Sequence, residues 1–464
     1  MTLRNCFLIL LLLSFVASQV QSNFGNTAIS THILYSSNNQ YVVYDLYKPK
    51  SATVKNKAPF IVVVPGFQRS KEALSNIAIE LSRRGHVVAL IDPYAQGMSS
   101  SSKSRRAATT EGYGMFALID SVYNSNEYNY IDKSRLGSTG HSMGGNAAIR
   151  GANYFGKQAI KNNSDSKLHS VYVSGYVLTL TDNVLNDVRS NVGVSYALYD
   201  EGAFRNELKG WDAANMKIAP ESLRFVNSIF KEENKLNEVE LGKYYGSIDN
   251  NNSRIVFNEE LLHPFQPYNI TATANQLSFF DKVFNSPIKL DPYNQIWFWK
   301  ELLTLLNMIL SFIMIIPISK FFLKMSFFKS IIKKIPTALP SQNIKSKKIF
   351  WLLFTISSVV ACVSFIPMVD IAKELFPDAS NRNLTWFFPQ RMNNSVMLWA
   401  MFNGIFGIIL FYLSYIIYGK KNGVSKKSWG LDITNNELLK TFILGVLVFI
   451  SYYLILYIIY FIFH

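Results

Sequence analysis

Apolar residues follow two rhythms along this chain. In the N-terminal part they form short, β-branched runs that alternate with stretches of helical spacing. Pro59–Val64 is a continuous apolar run of the kind expected for a strand buried on both faces. Glu72–Arg84 reads as a helix, Gly85 as a turn, and His86–Ile91 as a second buried strand that closes on Asp92. Further strands are predicted at Ser170–Leu178, at Asn191–Tyr199 and, briefly, from Arg254, ahead of a helix over Ala272–Phe284. Strands and helices in this alternation predict an α/β fold built on a mostly parallel, doubly wound sheet.

Beyond an aromatic border, Trp297-Phe298-Trp299-Lys300, the rhythm changes. Four apolar blocks follow, Leu302–Ile318, Phe350–Ile371, Val396–Tyr418 and Thr441–Phe463, and they predict an all-α transmembrane domain. The first block is short, yet its Lys320 and Lys324 flank fits a crossing. None carries a charge at its centre, which argues against an ion or proton path; Asn307 and Asn403 read as helix-packing residues. At the other end, Arg4, the apolar run Cys6–Val16 and Val20-Gln21-Ser22 follow the order of a signal peptide, or of an uncleaved anchor. The chain thus divides into a leader or anchor (1–22), an α/β domain (23–290) and a transmembrane domain (291–464). Within the second, residues 203–250 exceed what a connection needs. Trp211, Met216, Leu223, Phe225, Val226, Ile229 and Phe230 make that stretch either a cap or a helical excursion packed on the sheet.

Charge fixes an orientation. The formal net charge is +15, and much of the excess is lysine in two loops between apolar blocks. Lys320, Lys324, Lys329, Lys333, Lys334, Lys345, Lys347 and Lys348 crowd the first, and Lys420, Lys421, Lys426 and Lys427 the third. Basic loops of this kind stay in the cytoplasm, so the mixed second loop (Asp370, Glu374, Asp378, Arg382, Arg391) and the α/β domain are expected outside it. The same accounting removes a nucleic-acid reading, and no Gly-rich phosphate cradle occurs. Two cysteines, Cys6 and Cys362, leave the α/β domain without a disulfide or thiolate site, and the six histidines show no metal-ligand spacing, so no cofactor or metal is expected. Sequons at Asn162, Asn251, Asn269 and Asn383 fall in outside segments. The run Ser99–Ser102 leads into Lys103, Ser104, Arg105 and Arg106, read as an exposed basic loop.

The chemistry centres on Gly140-His141-Ser142-Met143-Gly144. A serine between two glycines, after a strand-like run and before a helix-like one, fits a strained strand-to-helix turn that exposes the hydroxyl. Ser142 is therefore the candidate nucleophile. Pro65-Gly66-Phe67-Gln68, a turn after the first buried strand, can aim a backbone N–H at a developing oxyanion, and the residue after the nucleophile supplies a second. Phe67 and Met143 are the candidate main-chain donors.

These segments resemble an α/β-hydrolase over about residues 40–285. Val64-Pro65-Gly66-Phe67, Arg84-Gly85-His86-Val87-Val88 and Gly140-His141-Ser142-Met143-Gly144-Gly145 are similar to the dienelactone-hydrolase and cutinase-like esterase branch. The resemblance implies the chain order nucleophile, acid, histidine. Among the histidines, His141 lies inside the elbow, His32, His86 and His169 come too early, and His464 is terminal, which leaves His263 as the general base. Asp200 ends the strand Asn191–Tyr199 and is the expected acid; Glu201 and Asp182 stay open, because the family's usual glycine before the acid is missing. The expected activity is a membrane-anchored, extracytoplasmic serine hydrolase of carboxylic or lipid-like esters, using an acyl-enzyme and no cofactor. Acyl transfer, amide hydrolysis and a non-catalytic membrane receptor or scaffold are the alternatives. Oligomeric state is not specified by the sequence.

Overall fold

The computed structural model describes residues 2–463 except 37–38, 103, 335–343, 382, 384, 386–390 and 430–431. Lys103, Arg382 and His464 lie outside the described residues. Two units emerge: Gln19–Trp299 with the short piece 382–384, and a helical unit of 1–18, 300–381 and 385–464.

The first unit is built on a sheet of eight strands among the described residues, in the order β1-β2-β4-β3-β5-β6-β7-β8. They are β1 (Thr27–Tyr35), β2 (Tyr41–Pro49), β3 (Ala58–Val64), β4 (Val87–Ile91), β5 (Ile131–His141), β6 (Ser170–Ser174), β7 (Asn191–Ala197) and β8 (Arg254–Glu259). β1 with β2 and β2 with β4 run antiparallel; every later pairing is parallel. The sheet thus starts earlier than the resemblance suggested, at Thr27.

Helices α1 (Leu3–Gln21), α2 (Ser75–Arg83), α3 (Met115–Asn124), α4 (Met143–Asn162), α5 (Pro220–Asn227) and α6 (Ile270–Phe284) follow in chain order. All seven residues of β3 are buried, because helices cover both faces. Alternation sorts them: Phe60, Val62 and Val64 join Leu118, Ala148 and Phe155 of α3 and α4 in one core, while Ile61 and Val63 join Ile77, Leu81, Phe280 and Phe284 of α2 and α6 in the other. Each such fully buried side chain contributes about 1.5–3 kcal/mol relative to exposure. Met216, Phe225 and Val226, from the 203–250 stretch, are buried in the first core, while Trp211 is fully exposed.

Residues after α6 remain tied to this unit. The Glu80 carboxylate accepts from the backbone N–H groups of Ile296 (2.6 Å) and Trp297 (3.1 Å), and Arg84 Nη2 donates to the Asp291 carbonyl at 2.7 Å. Trp297 is buried.

The helical unit holds the remainder of α1 and helices α7 (Trp297–Leu323), α8 (Ile344–Leu375), α9 (Arg391–Ser414) and α10 (Asn435–Phe463). Together with α1, five helices among the described residues are long and apolar enough to cross a membrane. Cys6 and Leu10 of α1 are buried against Leu310, Met314 and Ile318 of α7 and Ile459 of α10. Asn307 Nδ2 donates to Ser14 Oγ at 3.2 Å, and the Ser311 and Tyr452 hydroxyls share a 3.1 Å bond. Asn403 donates to Ser364 Oγ (3.3 Å) and Trp399 Nε1 to the Ala361 carbonyl (2.7 Å), pairing α9 with α8. Both asparagines therefore bond from one long apolar helix to another.

Candidate active site

β5 runs up the middle of the sheet and turns abruptly into α4. Ser142 occupies the turn at φ 59°, ψ −124°, a conformation that L residues adopt only where the surroundings enforce it. The flanking glycines explain how. A Cβ on Gly144 would stand 1.9 Å from the Val64 carbonyl oxygen, and one on Gly140 would stand 2.4 Å from the Gly144 backbone. β3, β5 and α4 approach this closely only because neither residue has a side chain. The Ser142 amide is pinned to the Ser174 carbonyl at 2.8 Å.

The loop after β3 lies beside the nucleophile. A Cβ on Gly66 would be 3.2 Å from Ser142 Cβ and 3.1 Å from the His141 carbonyl. Phe67 follows on this loop, and Met143 opens α4 at its positive end, where free N–H groups favour negative charge.

His263 follows β8 at the start of a short 3₁₀ turn, His263–Tyr268. Its Nδ1 lies 2.8 Å from Asp200 Oδ2. The other Asp200 oxygen accepts from the Gly202 amide at 2.7 Å, so both carboxylate oxygens are occupied and the side chain is fixed just past β7. Glu201 is exposed and Asp182 faces Arg224 instead (3.8 Å), so Asp200 is the carboxylate brought to His263. Among the described residues no hydrogen bond joins Ser142 Oγ to His263; contacts of this kind often tighten only when substrate binds.

The remaining described histidines take other roles. His141 packs against His263 with ring centroids 4.5 Å apart and planes tilted by 36°, and its Nδ1 is 3.1 Å from Ser174 Oγ. Burial, then the His263 and Arg69 charges, hold it well below the usual imidazole range, so it stays neutral as a wall of the site. His86 is buried against Ser286 and pushed by burial to about 3. His169 is likewise lowered by burial, and His32 lies on edge strand β1.

Sequence reasoning missed the polar braces around the site. Gln96 joins the loops after β3 and β4. Gln266 Nε2 donates to Ser195 Oγ (2.6 Å) and to Glu259 (2.9 Å), fixing the turn that starts at His263. A glutamine in a loop carries no motif, so no sequence signal pointed to either. Among the described residues no three His, Cys, Asp or Glu side chains gather as a metal-binding group.

Residues 15–201 match a family model described as PETase, PET hydrolase-like. Among solved structures, an esterase from Pyrococcus furiosus is similar at 12% identity and TM-score 0.38, over 55% of this chain and 92% of that one. A dienelactone hydrolase from Anabaena variabilis is similar at 16% identity and TM-score 0.35, over 55% of this chain and 98% of that one. No curated protein matches the chain. The mostly parallel sheet and the serine elbow give the first unit an α/β-hydrolase fold, and membrane-length helices follow it in the chain.

Proposed function

We propose that the protein is a membrane-anchored serine hydrolase that cleaves hydrophobic carboxylic esters outside the cytoplasm. The observation that carries this reading is the Asp200–His263 contact beside the Ser142 elbow. His263, held in one tautomer by Asp200, takes the Ser142 proton as Oγ attacks the acyl carbonyl. The Phe67 and Met143 amides receive the oxyanion, the protonated His263 returns its proton to the leaving alcohol, and water activated by the same imidazole then frees the acid from the acyl-enzyme.

A hydrophobic substrate is supported by the loops that follow the strand ends. Phe67, Met98, Tyr199, Phe204, Leu262 and Phe265 are all exposed there, apolar side chains at the strand ends that an acyl chain could contact. The anchor is supported by the apolar helices, and the orientation by the lysine-rich loops. The burial of Cys6 and Leu10 against α7 and α10 and the Asn307–Ser14 bond support α1 as a retained fifth span.

The test is turnover by the detergent-solubilised protein of a p-nitrophenyl ester series from acetate to palmitate. Turnover that rises with acyl length and disappears in Ser142→Ala supports the proposal; equal turnover by Ser142→Ala overturns it.

A further inference from the structure

The Phe67 loop departs from its strand in a conformation it could not easily keep by itself. Gln68 sits at φ 57°, in the left-handed region that disfavours side chains, and the turn Gly66–Arg69 is closed by one backbone bond, Arg69 N–H to the Gly66 carbonyl at 3.2 Å. The Gln96 side chain grips this turn from outside. Gln96 Oε1 accepts from the Gln68 N–H at 2.6 Å, while its Nε2 donates to the Gly66 carbonyl at 3.0 Å and to the Arg69 carbonyl at 2.8 Å. The amide orientation follows from the partners: one N–H must face the oxygen and two carbonyls must face the nitrogen.

Gln96 is itself held firmly. It is buried, on a loop that Asp92 closes by accepting from the Met98 amide (3.0 Å) and that bonds to β2 through Ser100 N–H and the Tyr41 carbonyl (3.0 Å). Asp92 also accepts from the Lys71 amide at 2.8 Å, a second tie from the same loop to the chain beyond Phe67. The three Gln96 bonds bracket Phe67, at residues 66, 68 and 69, and Gly66 packs on Ser142.

We infer that Gln96 is a positioning residue that holds the Phe67 N–H in place to receive the oxyanion. This inference rests on the reading of Ser142 as nucleophile and Phe67 as donor. An oxyanion donor acts where charge develops, so a loosened donor lowers kcat and leaves ground-state binding almost untouched. A purely structural brace would instead lower thermal stability and the amount of folded enzyme, with the turnover per labelled site unchanged.

The experiment compares full-length wild type, Ser142→Ala, Gln96→Leu and Gln96→Glu in detergent, with kcat expressed per active site titrated by a fluorophosphonate. Gln96→Leu removes all three bonds at similar volume and is expected to lower kcat about ten- to a hundredfold, less than loss of an oxyanion donor outright, with KM within about twofold. Gln96→Glu supplies the test if the leucine variant fails to fold. As a carboxylate it faces the Gly66 and Arg69 carbonyls with no proton to donate; protonated, it regains one donor. Its kcat relative to wild type should therefore rise as pH falls from 8 to 5, whereas His263 protonation affects both enzymes alike. Wild-type kcat in Gln96→Leu, or a pH-independent ratio for Gln96→Glu, overturns the positioning role while the triad stands. Activity in Ser142→Ala removes the underlying reading instead.

Discussion

Asp200 and His263, 63 residues apart in sequence, meet at 2.8 Å between Oδ2 and Nδ1. The contact exists because β7 and β8 are parallel neighbours whose C-terminal ends open on the same edge of the sheet as the Ser142 elbow. Asp200→Asn keeps the shape and inverts the hydrogen-bond logic at Nδ1, so it should lower ester kcat by about ten-thousandfold. Glu201→Gln and Asp182→Asn should leave kcat unchanged. Rates measured for all three under one condition decide which carboxylate serves.

Gly144→Ala is expected to be a folding variant rather than a catalytic one. Its methyl would overlap the Val64 carbonyl oxygen at 1.9 Å, and that atom is backbone in the central strand. The cost should be about 3 kcal/mol or more, because neither β3 nor α4 can withdraw. A thermal midpoint equal to wild type would show that the elbow is looser than this packing implies.

Acid should destabilise the hydrolase unit through its buried imidazoles. Burial, with nearby Arg84, Arg135 and Lys289, lowers His86 to about 3, and burial lowers His141 in the same direction. Both are neutral when folded, so below the unfolded value near 6.5 the unfolded chain binds protons first and stability falls, for His86 until the pH nears 3. The slope is about 1.4 kcal/mol per pH unit for each histidine. Denaturant midpoints taken at pH 7, 6 and 5 should fall progressively, and less so in His86→Asn.

The sequence carried the elbow because its requirement is local: Gly140 and Gly144 lie two residues either side of Ser142, and sterics alone dictate them. The core strands were readable for a similar reason, since burial on both faces leaves an unbroken apolar run such as Pro59–Val64. His263 could be reached by elimination. Asp200 was expected from its place at the strand end, but Glu201 and Asp182 stayed open, because the choice among them depends on how the chain turns after β7. β1 and β2 went unassigned: β1 is an exposed edge, and β2 mixes Tyr44, Asp45 and Lys48 into its apolar pattern. Gln96 was invisible because its partners lie 27 to 30 residues away and are all backbone atoms.

The boundary of the hydrolase unit is also testable. A chain ending at Trp299 keeps both amides that satisfy the buried Glu80 carboxylate, whereas one ending at Pro287 loses them along with Trp297. Hydrogen bonds to a charged group contribute about 1.5–3 kcal/mol each, so loss of two should lower the melting temperature by roughly 6–24 °C or keep the shorter chain from accumulating. Equal melting temperatures would show that residues 288–299 are only a tether.

Membrane insertion gives a fifth expectation. A tag ahead of Met1 should remain on the mature protein, because α1 packs on α7 and α10. Protease outside intact cells should cut before Gln295, while tags near Lys334 and Lys426 stay protected. A mature chain lacking its first 22 residues would contradict the retained span, and a protected hydrolase unit would contradict the orientation.

The central claim is that Ser142 is an activated nucleophile, and labelling tests it most directly. Full-length protein in detergent is treated with a fluorophosphonate probe and the adduct is located by peptide mass. The account predicts one adduct, on Ser142, formed rapidly in wild type, slowed about a thousandfold or more in His263→Ala and absent in Ser142→Ala. Labelling of another residue, or a Ser142 adduct that forms equally fast without His263, would contradict it.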